Sequence, residues 1–266
     1  MSLVLTYDPV LSRIRLAGTA LGASADHALV WRSTDNFKTY QLIRGADPAA
    51  VAGGVLNIDD YEFEAGVPIA YQMTSYNSGG VQQASFTTAI TQDLDSAWLK
   101  VPAAPYLNRR IEVQDKGPVT RRSRAGVFDI KGRSFPVSVG DVASSREWTL
   151  YVSTEDAGEE TALDYLVASG EVVFLHLPLA AENLVYTGYY SLGDVSRQPP
   201  MRLSPRRIWT FPLVEVARPG NHVVGPAYTW ASLLAEYGSW TNVISGNATW
   251  ADVLNRVASP SDVIVP

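Results

Sequence analysis

Residues 55–90 read VLNIDDYEFEAGVPIAYQMTSYNSGGVQQASFTTAI. Short runs rich in aliphatic, β-branched and aromatic residues are broken by Gly66 with Pro68, and then by the cluster Asn77 to Gly80. Such side chains fit a pleated, half-buried surface, and Gly, Pro and Asn supply the backbone angles of tight turns. The pattern continues toward the N-terminus. LVLTYDP is stopped by Pro9, and RIRLAG carries Ile14 and Leu16 before Gly18, which we expect to turn the chain. HALVWRS, with Trp31 at its centre, and KTYQLIRG follow. Turn signals every 8–12 residues between alternating runs predict an all-β sandwich over residues 1–95.

Around Pro102 and Pro105 the character changes, which marks a boundary or a stiff crossover. Beyond it, RIEVQD reads as a strand, and VTRRSRAGVFDIKGRSFPVSVGD as two strands split at Gly132 and Pro136. REWTLYVST is a strand with Trp148, Leu150 and Val152 on one face and Glu147, Thr149 and Tyr151 on the other. The period then switches. STEDAGEETALDYLVAS opens with acids, carries Leu163, Leu166 and Val167, and stops at Gly170, which predicts one amphipathic helix. EVVFLHLP, LVYTGYYSLGDV and RRIWTFPLVEVARP return to strand. One helix among strands is not a repeating βαβ alternation. Residues 96–220 are therefore read as a β-barrel or sandwich with one inserted helix packed on its side.

Three related phrases follow in residues 221–266: TWASLL, SWTNVI and TWADVL, starting at Thr229, Ser239 and Thr249. In each, a hydroxyl residue can cap a short helical turn by accepting from an orphan backbone N–H. Trp230, Leu233 and Leu234, then Trp240, Val243 and Ile244, then Trp250, Val253 and Leu254 supply short apolar faces. Helices of one or two turns do not persist alone in water, so this C-terminal arm must bury its indoles. It either completes its own barrel or grips a neighbouring subunit.

The chain's 266 residues, 46% apolar and 18% charged, suit a two-core globular protein and exclude wholesale disorder. No cysteine is present, which excludes disulfides, thiolate nucleophiles and sulfur-ligated zinc. The opening MSLVLTYDPV has no basic segment or long apolar segment, and we expect no secretory signal there. No run of about 18 apolar residues predicts a spanning helix. The net charge of −6 makes nucleic acid a poor partner.

His27, His176 and His222 stand in different segments, none at metal-ligand spacing, and no nucleophile elbow or P-loop occurs. We expect no catalytic residue, no metal site and no cofactor. His176, set among aliphatics, reads as a buried structural residue. In DDYEFE, Asp60, Glu62 and Glu64 fall on one side of a strand; calcium could use them, but a solvated face is the reading adopted. Arg109, Arg110, Arg121, Arg122 and Arg124 form a basic cluster in sequence, a candidate charged contact surface for an anion, a glycan or an acidic neighbour.

EAGVPIAYQMTSYNSGG resembles the end of a fibronectin type III domain. The resemblance covers roughly residues 3–90. It makes Tyr71 the corner tyrosine, its hydroxyl turned back to the backbone, and lets Trp31 fill the volume of the family's missing second-strand tryptophan. Most of the chain also resembles the minor tail proteins of long-tailed bacteriophages that infect actinobacteria. The residues that carry this are WLKVPAAPYLNRRIEV, RAGVFDIKGRSFPVSVGD, SREWTLYV, LDYLVASGEVVFLHLP, YYSLGDVSR and WTFPLVEVARP, with TWASLL and TWADVL closing the chain. That likeness implies a virion protein made in the bacterial cytoplasm. It would assemble with copies of itself in a ring or trimer and with tail-tube, hub or other tail-tip proteins, to build the tip or present host-binding parts. A carbohydrate-binding module recognising host cell-wall glycan is the alternative, and it requires solvent-facing Trp and Tyr on a sandwich face.

Overall fold

In the computed structural model, which describes residues 2–181, 185–201, 204–220 and 237–246, two-residue alternation organises the first unit. Strands β1 (Ser2–Asp8), β2 (Arg13–Thr19) and β6 (Leu56–Asp60) make one antiparallel sheet, in the order β1-β2-β6. The second sheet runs β4 (Gln41–Leu42), β3 (His27–Ser33), β7 (Pro68–Tyr76), β8 (Gln82–Thr91), with the short β5 (Ala49–Ala50) also on β3. Ile14 and Leu16 face Val30, Ile69, Tyr71 and Met73 in a core closed to solvent. Burial of each large apolar side chain there contributes about 1.5–3 kcal/mol. Between β7 and β8, Asn77 Oδ1 accepts the N–H groups of Gly79 and Val81, and Gly80 takes φ +77°, as a tight hairpin requires.

Three details differ from expectation. Gly18 does not turn the chain; it lies inside β2, where a Cβ would collide with Met73 Sδ, so close sheet approach selects it. Trp31 does not fill core volume. On β3 the inward positions are Ala28, Val30 and Arg32, and Trp31 sits half-buried on the opposite face. Tyr71 is in the core, but its hydroxyl donates to the Asp60 carboxylate (2.8 Å) rather than to the backbone.

The second unit is mainly β, built on a closed six-stranded barrel. Around it run β9 (Ala97–Lys100), β10 (Arg109–Lys116), β14 (Arg146–Thr154), β18 (Arg207–Glu215), β16 (Gly188–Leu192) and β15 (Val173–His176), which returns to β9. β11 (Thr120–Arg121) and β17 (Ser196–Gln198) pair onto β14 and β18 from outside this ring. Trp148, Leu150 and Val152 point inward, as their alternation predicts, beside Trp209, Phe211 and Leu213. Trp209 stacks on Phe211 at 5.9 Å, and its indole N–H reaches Thr154 Oγ1 at 3.2 Å, so its polar edge is satisfied.

The predicted helix is α1 (Ala157–Ala168). Asp156 caps it by accepting from the N–H groups of Gly158 and Glu159, and Glu159 and Glu160 sit in the first turn where the dipole favours anions. Leu163 and Leu166 press on the barrel, and Gly170 at φ +65° ends the helix. Near the C-terminus, α2 (Trp240–Gly246) starts at Ser239, whose Oγ accepts from Asn242 N–H at 3.3 Å, the cap predicted for that phrase. The phrases at Thr229 and Thr249 lie outside the described residues. No described helix is long and apolar enough to cross a membrane.

Candidate functional site

Asp60 and Glu62 are not a solvated strand face, as their alternation suggested. They are buried where the sandwich meets the barrel, and β6 ends at Asp60, so the acids of DDYEFE do not share one strand. Arg32 Nη1 donates to both Asp60 oxygens at 2.9 Å, and its remaining donors go to Gln41 Oε1 at 2.9 and 2.7 Å. Arg44 grips Glu62 with two bonds, 2.9 and 3.0 Å. Across the seam Tyr189 of β16 donates to Glu62 Oε1 at 2.6 Å, and Arg218 to Oε2 at 3.2 Å. Arg44 also donates to the carbonyls of Pro219 and Gly220, just beyond the barrel's last strand. Burial pushes the Glu62 carboxyl up, but bonds from Arg44 and Tyr189 and the charges of Arg44 and Arg218 outweigh it and hold it at about 2. Burial and the same carboxylate push the Tyr189 phenol up.

Beside this pair of carboxylates lies a buried amine. Lys100 Nζ is 2.6 Å from Ser12 O, 2.8 Å from Tyr61 O and 2.8 Å from His176 Nδ1, three acceptors for the three donors of an ammonium. Burial pushes the lysine well down, and burial together with the Lys100 charge does the same to His176. Neither group is reachable from solvent. The arrangement ties both units together. Among the described residues, no three His, Asp or Glu side chains converge on a metal position.

The solvent-facing feature is a ribbon. Among the described residues, strands β12 (Gly126–Phe128) and β13 (Val137–Val139) pair only with each other, Phe128 opposite Val137 and Gly126 opposite Val139. Gly132 at φ +87° lies in the tip. The base is clamped to the barrel: Arg122 N–H donates to Ser144 Oγ at 2.7 Å, and Thr120 pairs with Glu147 of β14. Val127, Phe128, Ile130, Phe135, Val139 and Val142 are all 43–83% exposed. Because facing and alternate residues share a side, Phe128, Val137 and Val139 make one apolar face. A lone two-stranded ribbon is marginal in water.

The five arginines taken as one surface are not brought together. Arg121, Arg122 and Arg124 stand at the ribbon's base, whereas Arg109 and Arg110 begin β10, where it passes the far end of β14. Alternation in sequence hides this because β10 spans the barrel wall between them. Arg109 and Arg110 line a cleft of about 690 Å3 between α1 and the barrel, with Ile111, Glu112, Val152, Glu155, Glu159 and Ala162. Arg109 is half-buried and donates to Tyr106 O and Asn108 O, and burial lowers its pKa. Of the arm, Val243 is buried, Trp240 is 44% and Ile244 66% exposed; Trp230, Leu233, Leu234, Trp250, Val253 and Leu254 lie outside the described residues. The ribbon itself was legible only as two strands split at Gly132. Its signal was the run of apolar residues that have no facing strand to bury them. Comparison with known protein families and with curated proteins finds no match.

Proposed function

We propose that this chain is a non-enzymatic structural subunit that acts by covering surface against other proteins, as the minor tail proteins at the tail tip of long-tailed actinobacteriophages do. The observation that carries the reading is the ribbon: a segment clamped at its base, held away from both cores, and apolar on a face left in water. Holding such a face in solvent is unfavourable unless a partner covers it. The closed barrel and the polar seam supply a rigid platform from which the ribbon projects. The two-sheet order of the first unit supports reading it as a fibronectin type III-like module. On this reading the partners are copies of the chain, in a ring or trimer, and tail-tube or hub proteins, and the protein resides in the virion.

The glycan-binding alternative draws little support. Trp98, Trp148 and Trp209 are buried and Trp31 half-buried, so neither β unit presents an indole platform among the described residues. Sedimentation velocity of the purified protein, alone and mixed with tail-tube or hub proteins, tests the proposal. Concentration-dependent assembly or co-sedimentation supports it. A strictly monomeric protein that binds cell-wall glycan and no tail component overturns it.

A further inference from the structure

Lys100 lies on β9 of the barrel, but two of its three acceptors, Ser12 O and Tyr61 O, belong to the sandwich, so the amine fastens one unit to the other. The third acceptor, His176 Nδ1 at 2.8 Å, stands on the adjacent strand β15, where His176 pairs with Trp98. An imidazole that accepts at Nδ1 is uncharged. The space between the two nitrogens therefore has room for one proton. A second, added to the Nδ1 lone pair, would set two charged donors against each other at 2.8 Å.

Among the described residues, no neighbour relieves that conflict. Both side chains are closed to solvent, and the rings of Phe63 and Phe174 lie 4.7 and 5.1 Å from the imidazole. Around them the seam already sets four cations, Lys100, Arg32, Arg44 and Arg218, against two carboxylates. Asp60 is taken by Arg32 and Tyr71, and Glu62 by Arg44, Arg218 and Tyr189. The other ionisable groups packed here are phenols: Tyr61, whose hydroxyl accepts from Arg13 at 3.2 Å, and Tyr7, edge-on to Phe63. Burial raises the pKa of both, so neither supplies an anion in acid.

We infer that His176 is an acid-released latch: one proton from solvent on its Nδ1 drives Lys100 off Ser12 and Tyr61 and frees the sandwich from the barrel. The latch works within one chain and needs no partner. While the seam is closed, burial and the charges of Lys100 and Arg32 hold His176 well below its ordinary value of 6.5, and the ring stays neutral. Once the seam opens, the ring returns to that ordinary value. The open form thus binds one more proton below pH 6.5. Closure is at full strength above that pH and weakens by up to about tenfold per pH unit as acid is added. Between pH 6.5 and 5 the opening constant therefore rises by up to about thirtyfold. Lys100 stays charged in both forms over that range and adds nothing to the change.

The test is amide hydrogen exchange of the full chain by NMR, corrected for the pH dependence of intrinsic exchange rates. The Glu62 N–H, bonded to Asp60 Oδ1 at 2.9 Å inside the closed seam, reports its opening, and the ladder amides of β7 and β14 serve as controls. In wild type, Glu62 protection should fall about ten- to thirtyfold between pH 6.5 and 5 while the controls hold. In His176→Gln, whose amide oxygen accepts from Lys100 but takes up no proton, it should fall less than about threefold. Parallel losses in the two proteins, or undiminished Glu62 protection in wild type at pH 5, overturn the latch. Equal losses at Glu62, β7 and β14 mean that the whole chain unfolds, and overturn it too. Should His176→Gln not fold, the wild-type imidazole signals decide. A His176 ring that stays neutral for as long as Glu62 is protected supports the latch, and one that titrates near 6.5 with the seam still closed overturns it.

Discussion

Glu62→Gln keeps the shape of the side chain at the seam and removes its charge. In the native protein the carboxylate sits between Arg44 and Arg218 and accepts from Tyr189, with its side chain only 3% exposed. Its pKa is held at about 2, against an ordinary value of 4.5. A carboxyl with a lowered folded pKa adds stability that is fully present above the unfolded value and is lost as pH falls through the folded one. At about 1.4 kcal/mol per unit, that contribution is about 3 kcal/mol, of which about 2 kcal/mol disappears between pH 5 and 3. At neutral pH the substitution leaves two guanidinium groups facing an amide and should cost about 3–5 kcal/mol. Urea denaturation followed by tryptophan fluorescence at pH 7, 5, 4 and 3 measures both quantities. Asp35 and Glu215 also have lowered pKa values, but they titrate alike in wild type and variant, so the difference between the two pH profiles isolates Glu62. Parallel profiles, or a neutral-pH loss below about 1 kcal/mol, would refute the reasoning.

Replacing Asp156 by Ala removes both side-chain bonds at the start of α1 and should lower unfolding free energy by about 1 kcal/mol, measured by chemical denaturation. Phe211→Ala, in the barrel centre against Trp209, should cost about 3–5 kcal/mol, and a loss under 1 kcal/mol would place Phe211 outside the core. Lys100→Met orphans the carbonyls of Ser12 and Tyr61 together with His176 Nδ1, and should destabilise by about 2–4 kcal/mol in the same assay. Gly18→Ala meets Met73 and should cost about 1–3 kcal/mol, with Met73→Ala in the same chain relieving part of the clash.

Alternation made β14 legible, because Trp148, Leu150 and Val152 keep one phase and the acids of α1 follow at once. It made the seam illegible for the same reason. Arg32 stands in phase with Ala28 and Val30, and a two-residue period reports which side a residue faces, not what meets it there. Its partner Asp60 lies on the other sheet and Gln41 beyond the next turn, and only folding brings the three together. Read as a phase, Arg32 was a visible anomaly: a charge at an inward position with no apolar substitute. Lys100 was hidden more deeply, since its acceptors are backbone carbonyls, which have no sequence identity. The basic cluster failed through geometry. Neighbours in sequence around Arg109–Arg124 are carried to opposite ends of the barrel by a single strand.

The four residues of β9 have an effect out of proportion to their number. Leu99 belongs to the barrel core, while its neighbour Trp98 belongs to the sandwich core and Lys100 is fastened to Ser12 and Tyr61. Cutting the chain before Ala97 strips the sandwich of an indole; cutting after Lys100 takes a stave out of the barrel. Neither half is then a transplantable cassette. Calorimetry of the intact protein should record one heat-absorption peak rather than two, the two β units melting together because they share a strand.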